Sequence, residues 1–162
     1  MLVGCLAFVA ALVVGSLVEY VTHRLMHSRW LLGKKHAEHH RDGWGQGFFG
    51  EFCDYLLGLP VIGWFGFLYS VEAGLGFAVG CLVFAAIAAY SHQVQHERPE
   101  LVFWMPRPVH YLHHTHHTWH HNFGISCDVW DRVFRTYKPF EWKPERRPFQ
   151  HPLRAFVQIK WY

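Results

Sequence analysis

The chain has 162 residues, half of them apolar, 18% aromatic and only 17% charged, a greasy composition for a single domain of this size. Four scattered cysteines, Cys5, Cys53, Cys81 and Cys127, form no C-x2-C pair, which argues against a disulfide framework and against a thiolate metal site. The formal charge of +3 is modest, and no nucleic-acid partner is expected.

Residues 1–18 carry no charge and are nearly long enough for a transmembrane helix, which needs roughly 20 residues. No basic stretch precedes them, so a signal peptide is not expected. The run opens at Met1, which leaves open whether a further helix lies upstream. Its helix is expected to continue through Glu19 and Tyr20 into His23 and His27. Cys5 and Cys81 lie in apolar runs and are expected to pack there. Residues 24–41 are basic and rich in histidine, and 43–50 read as a flexible aromatic loop at a membrane surface. Residues 55–71 form an uncharged arm in which Pro60 kinks a helix or starts a shorter one. Glu72-Ala73-Gly74 reads as a turn, and the uncharged run 75–90 leads into His92 and His96 as the second arm of a helical hairpin. Each arm is short for a crossing, about 25 Å at 1.5 Å per residue, so a re-entrant hairpin is one option. Pro99, Pro106 and Pro108 break the chain, residues 109–121 are expected to be helical, and a basic, proline-rich tail follows.

All fifteen Lys and Arg residues lie in 24–41 or beyond 97. The expected architecture is therefore all-α and integral to a membrane: one N-terminal helix, a hairpin, and a helical cap carrying the histidines on one face. By the positive-inside rule that face is cytoplasmic. The competing reading is a soluble all-α protein with a buried hairpin.

Ten of the fifteen histidines fall into four motifs: His23-x3-His27, His36-x2-His39-His40, His92-x3-His96 and His110-x2-His113-His114. Neutral imidazole is the commonest metal-binding side chain. On a helix, residues i, i+3 and i+4 lie near one another, so each motif is expected to aim its imidazoles at one point. Ten ligands suit two ions. Without Cys or a set of carboxylates, Fe, Zn, Cu and Ni all fit by softness.

The series HRLMH, HAEHH, HQVQH and HYLHH, followed by NFGISCDVWDRVF and a Thr-Tyr pair, resembles the fatty acid hydroxylase/sterol desaturase superfamily over roughly residues 15–140. The resemblance implies a single membrane domain over 1–162 whose two irons use O2 to hydroxylate or desaturate a lipid C–H bond. Zinc is a substitute in recombinant material. It implies His23, His27, His36, His39, His40, His92, His96, His110, His113 and His114 as ligands, with no catalytic residue beyond them. Arg135 stands where the family usually has Gly. Electrons must come from outside, from a ferredoxin or cytochrome, because no haem, flavin or iron–sulfur motif is visible. Lys34, Lys35, Arg41, Arg146 and Arg147 are candidates for its docking surface, although positive-inside charge or lipid headgroup contact explains them as well.

A second register, His117-x2-His120-His121, competes with the fourth motif. The earlier set is preferred, which leaves His116, His117, His120 and His121 outside the ligand set. Glu19, Glu38, Asp42 and Glu97 are candidates to hold the outer nitrogen of a ligand, Glu19 first among them. Solvated charge or helix capping is the alternative. Asn122, Asp128 and Asp131 are further supports; for Asp131 a structural role is expected, pairing with Arg132 or capping a helix. His151 is expected to be exposed. Trp44, Phe48, Phe49 and Phe52 read as interfacial anchors or as the lining of a lipid access path. A carotenoid ring hydroxylase is the alternative within the enzyme class. A histidine-rich metal transporter or a membrane haem protein fits less well, since transport places ligands in mid-helix and haem needs few histidines.

Overall fold

The computed structural model describes residues 1–28, 30–43, 45–144 and 152–162, so Trp44, Arg146, Arg147 and His151 lie outside the described residues. The described chain is helical throughout, without strands. Helix α1 spans Leu2–His27 and α5 spans Val71–Glu97. Along α1 the buried positions Ala11, Gly15, Glu19, His23 and His27 recur every fourth residue, which puts them on one face, and that face meets α5. Gly4 lies against Glu72, Ala11 against Gly80 and Gly15 against Phe84, so the two helices run parallel. The approach is close because the contact residues are small: a Cβ on Gly76 would strike the Gly4 carbonyl, and one on Gly80 would lie 2.7 Å from Ala11 Cβ. Where the surroundings are lipid, such van der Waals packing is the main force between helices.

Parallel packing requires the chain to return between the two helices. It does so through α2 (Gly33–Asp42), α3 (Phe48–Leu56), α4 (Leu59–Ile62) and a 3-10 turn at Phe65–Leu68. The aromatic loop therefore ends at Gly47, and Phe48 already begins a helix. Pro60 starts the short α4. The expected turn at 72–74 is corrected: those residues form the first turn of α5. Ser70 caps that helix by accepting from the Ala73 N–H, and Glu72 adds a carboxylate where the helix dipole favours one. The chain instead reverses at Tyr69–Ser70, and α5 reaches 27 residues, about 40 Å at 1.5 Å per residue.

Three stretches are long and apolar enough to cross a membrane: Leu2–His27, Phe48–Leu68 and Val71–Glu97. Their outward faces are apolar, with Leu6, Val9 and Val13 on α1 and Leu75, Val79 and Ile87 on α5 all exposed. Cys81 packs inside as expected, but Cys5 stands on this outer face.

Beyond α5 come α6 (Val109–Thr115), α7 (Val129–Val133) and α8 (Pro152–Ala155). Helix α6 is shorter than the expected 109–121, because the chain turns into the left-handed region at His117 (φ 47°). Ala155 and Ile159 pack with Val94 and Leu101. The carbonyls of Lys160 and Trp161 accept from the N–H groups of Phe48 and Phe49. Phe48 and Phe49 thus pack on Trp161 and Tyr162.

Candidate metal centre

The four histidine motifs converge at one end of the α1–α5 pair. His23 and His27 come from the last turns of α1, and His92 and His96 from the last turns of α5. Helices α2 and α6 supply the other two motifs. Two groups result, each with its ligand atoms within 4.8 Å of one another: His23, His27, His36, His40 and His113, and then His39, His96, His110 and His114. His92 stands at the edge of the second group, its Nε2 3.3 Å from that of His96 and its ring 4.6 Å from that of His110.

The H-x2-H-H motifs do not aim all their imidazoles at one point, which corrects the expectation. His36 and His40 face the first group while His39 faces the second; His110 and His114 face the second while His113 faces the first. The reason is helical geometry. Residues i and i+4 share a face, but adjacent residues diverge by about 100°. The neighbouring pairs His39-His40 and His113-His114 therefore straddle both groups, and the rings of His40 and His114 stack at 3.9 Å between them.

The donor atoms fit a cation. His27 Nε2 lies 3.3 Å from His23 Nε2, 2.9 Å from His36 Nε2, 3.2 Å from His40 Nε2 and 2.9 Å from His113 Nε2. Nitrogens bound at ~2.1 Å to one first-row ion stand about 3.0–3.4 Å apart, close to the spacings seen. Two of the outer nitrogens are already engaged. His23 Nδ1 donates to the Phe123 carbonyl at 2.6 Å and His113 Nδ1 to the His121 carbonyl at 2.7 Å. This fixes the tautomer that turns a lone pair at Nε2 toward the group. Such convergent lone pairs repel one another unless a cation sits among them. Both ring nitrogens of His114 are buried without a hydrogen-bond partner.

Burial and neighbouring imidazoles push His36 and His40 down to about 2. His113 falls to about 4, its burial opposed by the carbonyls of His121 and Thr118. His110 and His114 are lowered for the same first reason, burial. These five imidazoles are therefore neutral at physiological pH, the form that binds metal.

The fatty acid hydroxylase family matches over residues 8–136. The chain belongs to the fatty acid hydroxylase family. No curated protein and no solved structure matches it. Family membership makes this protein a lipid hydroxylase/desaturase-type oxidoreductase, of a kind that typically depends on iron.

In this member of the family the competing register falls elsewhere. His117 and His120 are exposed, His120 beside His27 in a small pocket of about 180 Å³, and His121 contributes only its carbonyl to His113. The exposed His116 stacks on Phe140.

The carboxylates expected beside the ligands do other work. Glu19 accepts from the N–H groups of Ile125 and Ser126 and from the Ser126 hydroxyl, which ties α1 to the N-F-G loop. Glu38 is exposed, and Asp42 pairs with Arg41. Glu97 accepts from Gln93 Nε2 and from the Lys160 N–H. Asp131 is structural but does not pair with Arg132, which Asp128 holds instead. It accepts from the N–H groups of Phe123 and Gly124 and from the Thr136 hydroxyl. Asn122 closes the same loop through both its amide atoms onto the backbone of Lys138. The tail motif is thus a scaffold that presents the Phe123 carbonyl to His23.

A carboxylate that does reach a motif histidine is Glu51, whose Oε2 lies 2.9 Å from His92 Nδ1. Sequence reasoning missed it. The available signal was a lone acid inside the apolar run FFGEF, a placement that is costly unless the charge finds a partner. The two glutamines of HQVQH are also structural. Gln95 joins the Ile125 carbonyl to the His110 N–H, and Gln93 accepts from the Gly47 N–H.

Proposed function

We propose that the ten motif histidines hold two irons, five to each, and that the protein uses them with O2 to hydroxylate a membrane lipid, with desaturation as the neighbouring outcome. The observation that carries this reading is the pair of imidazole groups, mutually touching and built from all four motifs at one end of the apolar helices. His23, His27, His36, His40 and His113 would hold one ion. His39, His92, His96, His110 and His114 would hold the other. Five nitrogens leave room for one further ligand in a six-coordinate ion, as reactive rather than purely structural sites require. Iron bound there supplies O2 activation and removal of hydrogen from an unactivated carbon.

The chain's own part is to orient and to exclude water. Phe123 and His121 hold His23 and His113 through their carbonyls, and Trp119 covers His27 edge-on while donating to its carbonyl. An apolar groove of about 440 Å³ supports a lipid substrate. It is lined by Val83, Ile87, Tyr90, Ser91, Trp104 and Ser126, of which Val83, Ile87 and Trp104 are exposed. Hydroxylation consumes O2, two electrons and two protons and releases water, so an external one-electron donor, a ferredoxin or cytochrome, is part of the proposal. Lys34, Lys35 and Arg41 are exposed on α2 at the histidine end, Lys35 and Arg41 already engaged by Asp54 and Asp42.

The test is lipid profiling of cells with and without the protein under O2, paired with metal analysis of the purified chain. A lipid gaining one oxygen or losing two hydrogens, together with two non-haem irons, is the expected result. A Soret band would sink the reading. For the register, His113→Ala should lose metal while His120→Ala keeps it; the reverse would transfer the ligand role to the second set.

A further inference from the structure

We infer that Glu51 is a positioning residue that fixes His92 as a ligand of the second histidine group. The inference rests on the reading that these groups hold metal. His92 needs such support, because its Nε2 touches His96 but it stands at the edge of the set formed by His39, His96, His110 and His114. Its other ring nitrogen lies 2.9 Å from Glu51 Oε2, a close polar contact that falls short of an aligned hydrogen bond. A carboxylate there favours the tautomer that keeps the proton on Nδ1, so the lone pair stays at Nε2, and it makes the imidazole a stronger donor.

The carboxylate is itself held. Glu51 is 5% exposed, and its Oε1 accepts from the Gln46 N–H at 3.0 Å. The first turn of α3, on which it sits, is pinned from two sides. Gln93, the residue after His92, accepts from the Gly47 N–H at 3.0 Å. Lys160 and Trp161 accept from the N–H groups of Phe48 and Phe49 at 2.9 and 3.0 Å. Lys160 and Trp161, which brace the start of α3, lie beyond the residues that match the family. An acid buried in an apolar stretch without purpose would be costly.

Metal content and chelator competition on the purified full chain test the role. Wild type is expected to carry two ions. Glu51→Ala should weaken the less tightly held ion by about 10–100-fold, taking occupancy toward one per chain. Glu51→Gln keeps an acceptor for Nδ1 and should recover most of that loss. His92→Ala should show the same defect, and the double variant no more than His92→Ala alone, because both changes act on one ligand. Two ions held by Glu51→Ala at wild-type affinity, or losses that add in the double variant, would overturn the role of Glu51 alone. A wild-type chain that binds no metal would overturn the metal reading with it. If Glu51→Ala loses its helical circular dichroism, Glu51→Gln decides: affinity between wild type and His92→Ala supports the role, and unchanged affinity rejects it.

Discussion

Arg135 is the residue at which sequence and geometry meet most directly. The resemblance leads one to expect Gly there, and its φ is +58°. A side chain in the left-handed region costs about 1–2 kcal/mol, and Gly gives back about 0.5–1 kcal/mol as chain entropy. Arg135→Gly is therefore expected to stabilise the protein by up to about 1 kcal/mol, a rise of about 2–4 °C in the thermal midpoint in detergent. A lower midpoint would show that the exposed Arg135 side chain makes a contact worth more than the strain. The histidines make a second residue-scale prediction, for metal-free protein. An unfolded His titrates near 6.5, whereas in the folded chain burial pushes His113 down to about 4 and His36 and His40 down to about 2. Between those values the unfolded chain binds more protons, so stability falls as the pH drops from 6.5 toward 4 and continues to fall below it. The thermal midpoint should be clearly lower at pH 5 than at pH 7. A flat profile would mean that these imidazoles are not buried as neutral groups.

At the scale of elements, the contact between α1 and α5 sets the site, because each helix delivers a histidine pair from its end. Gly80→Val should force the helices apart against Ala11 Cβ and the Phe8 carbonyl, at about 1–3 kcal/mol, whereas Val79→Leu on the exposed face should change little. Thermal midpoints of the two variants check this, and equal values would place the helix contact elsewhere. Much at this scale was legible. The uncharged runs gave α1 and α5, and the i, i+4 spacing placed His23 with His27 and His92 with His96. The reversal at Tyr69–Ser70 was not, because Glu72-Ala73-Gly74 looks like a turn until the Ser70 cap is seen. The splitting of His39 from His40 was legible in principle, since adjacent helical residues never share a face. Glu51 was hidden because its partner lies 41 positions away and no local spacing connects the two.

For the whole molecule, the parallel α1 and α5 put every motif histidine at one end and Tyr69 at the other. From the positive-inside rule we propose that the histidine end is cytoplasmic. With Cys5 and Cys53 replaced by Ser, a cysteine at exposed Glu38 should react with a membrane-impermeant thiol reagent only in inside-out vesicles, and one at exposed Tyr69 only in right-side-out ones. The opposite pattern would invert the topology. One consequence follows from the way His39-His40 and His113-His114 each divide between the two groups. Consecutive Cα atoms are 3.80 Å apart across a trans peptide. Each of these pairs is thus a rigid rung joining the two centres, laid on α2 and α6 rather than on the long apolar helices. A thicker or thinner bilayer would tilt α1 and α5 and raise or lower the pair as a unit, while the gauge between the centres would stay as the two rungs set it.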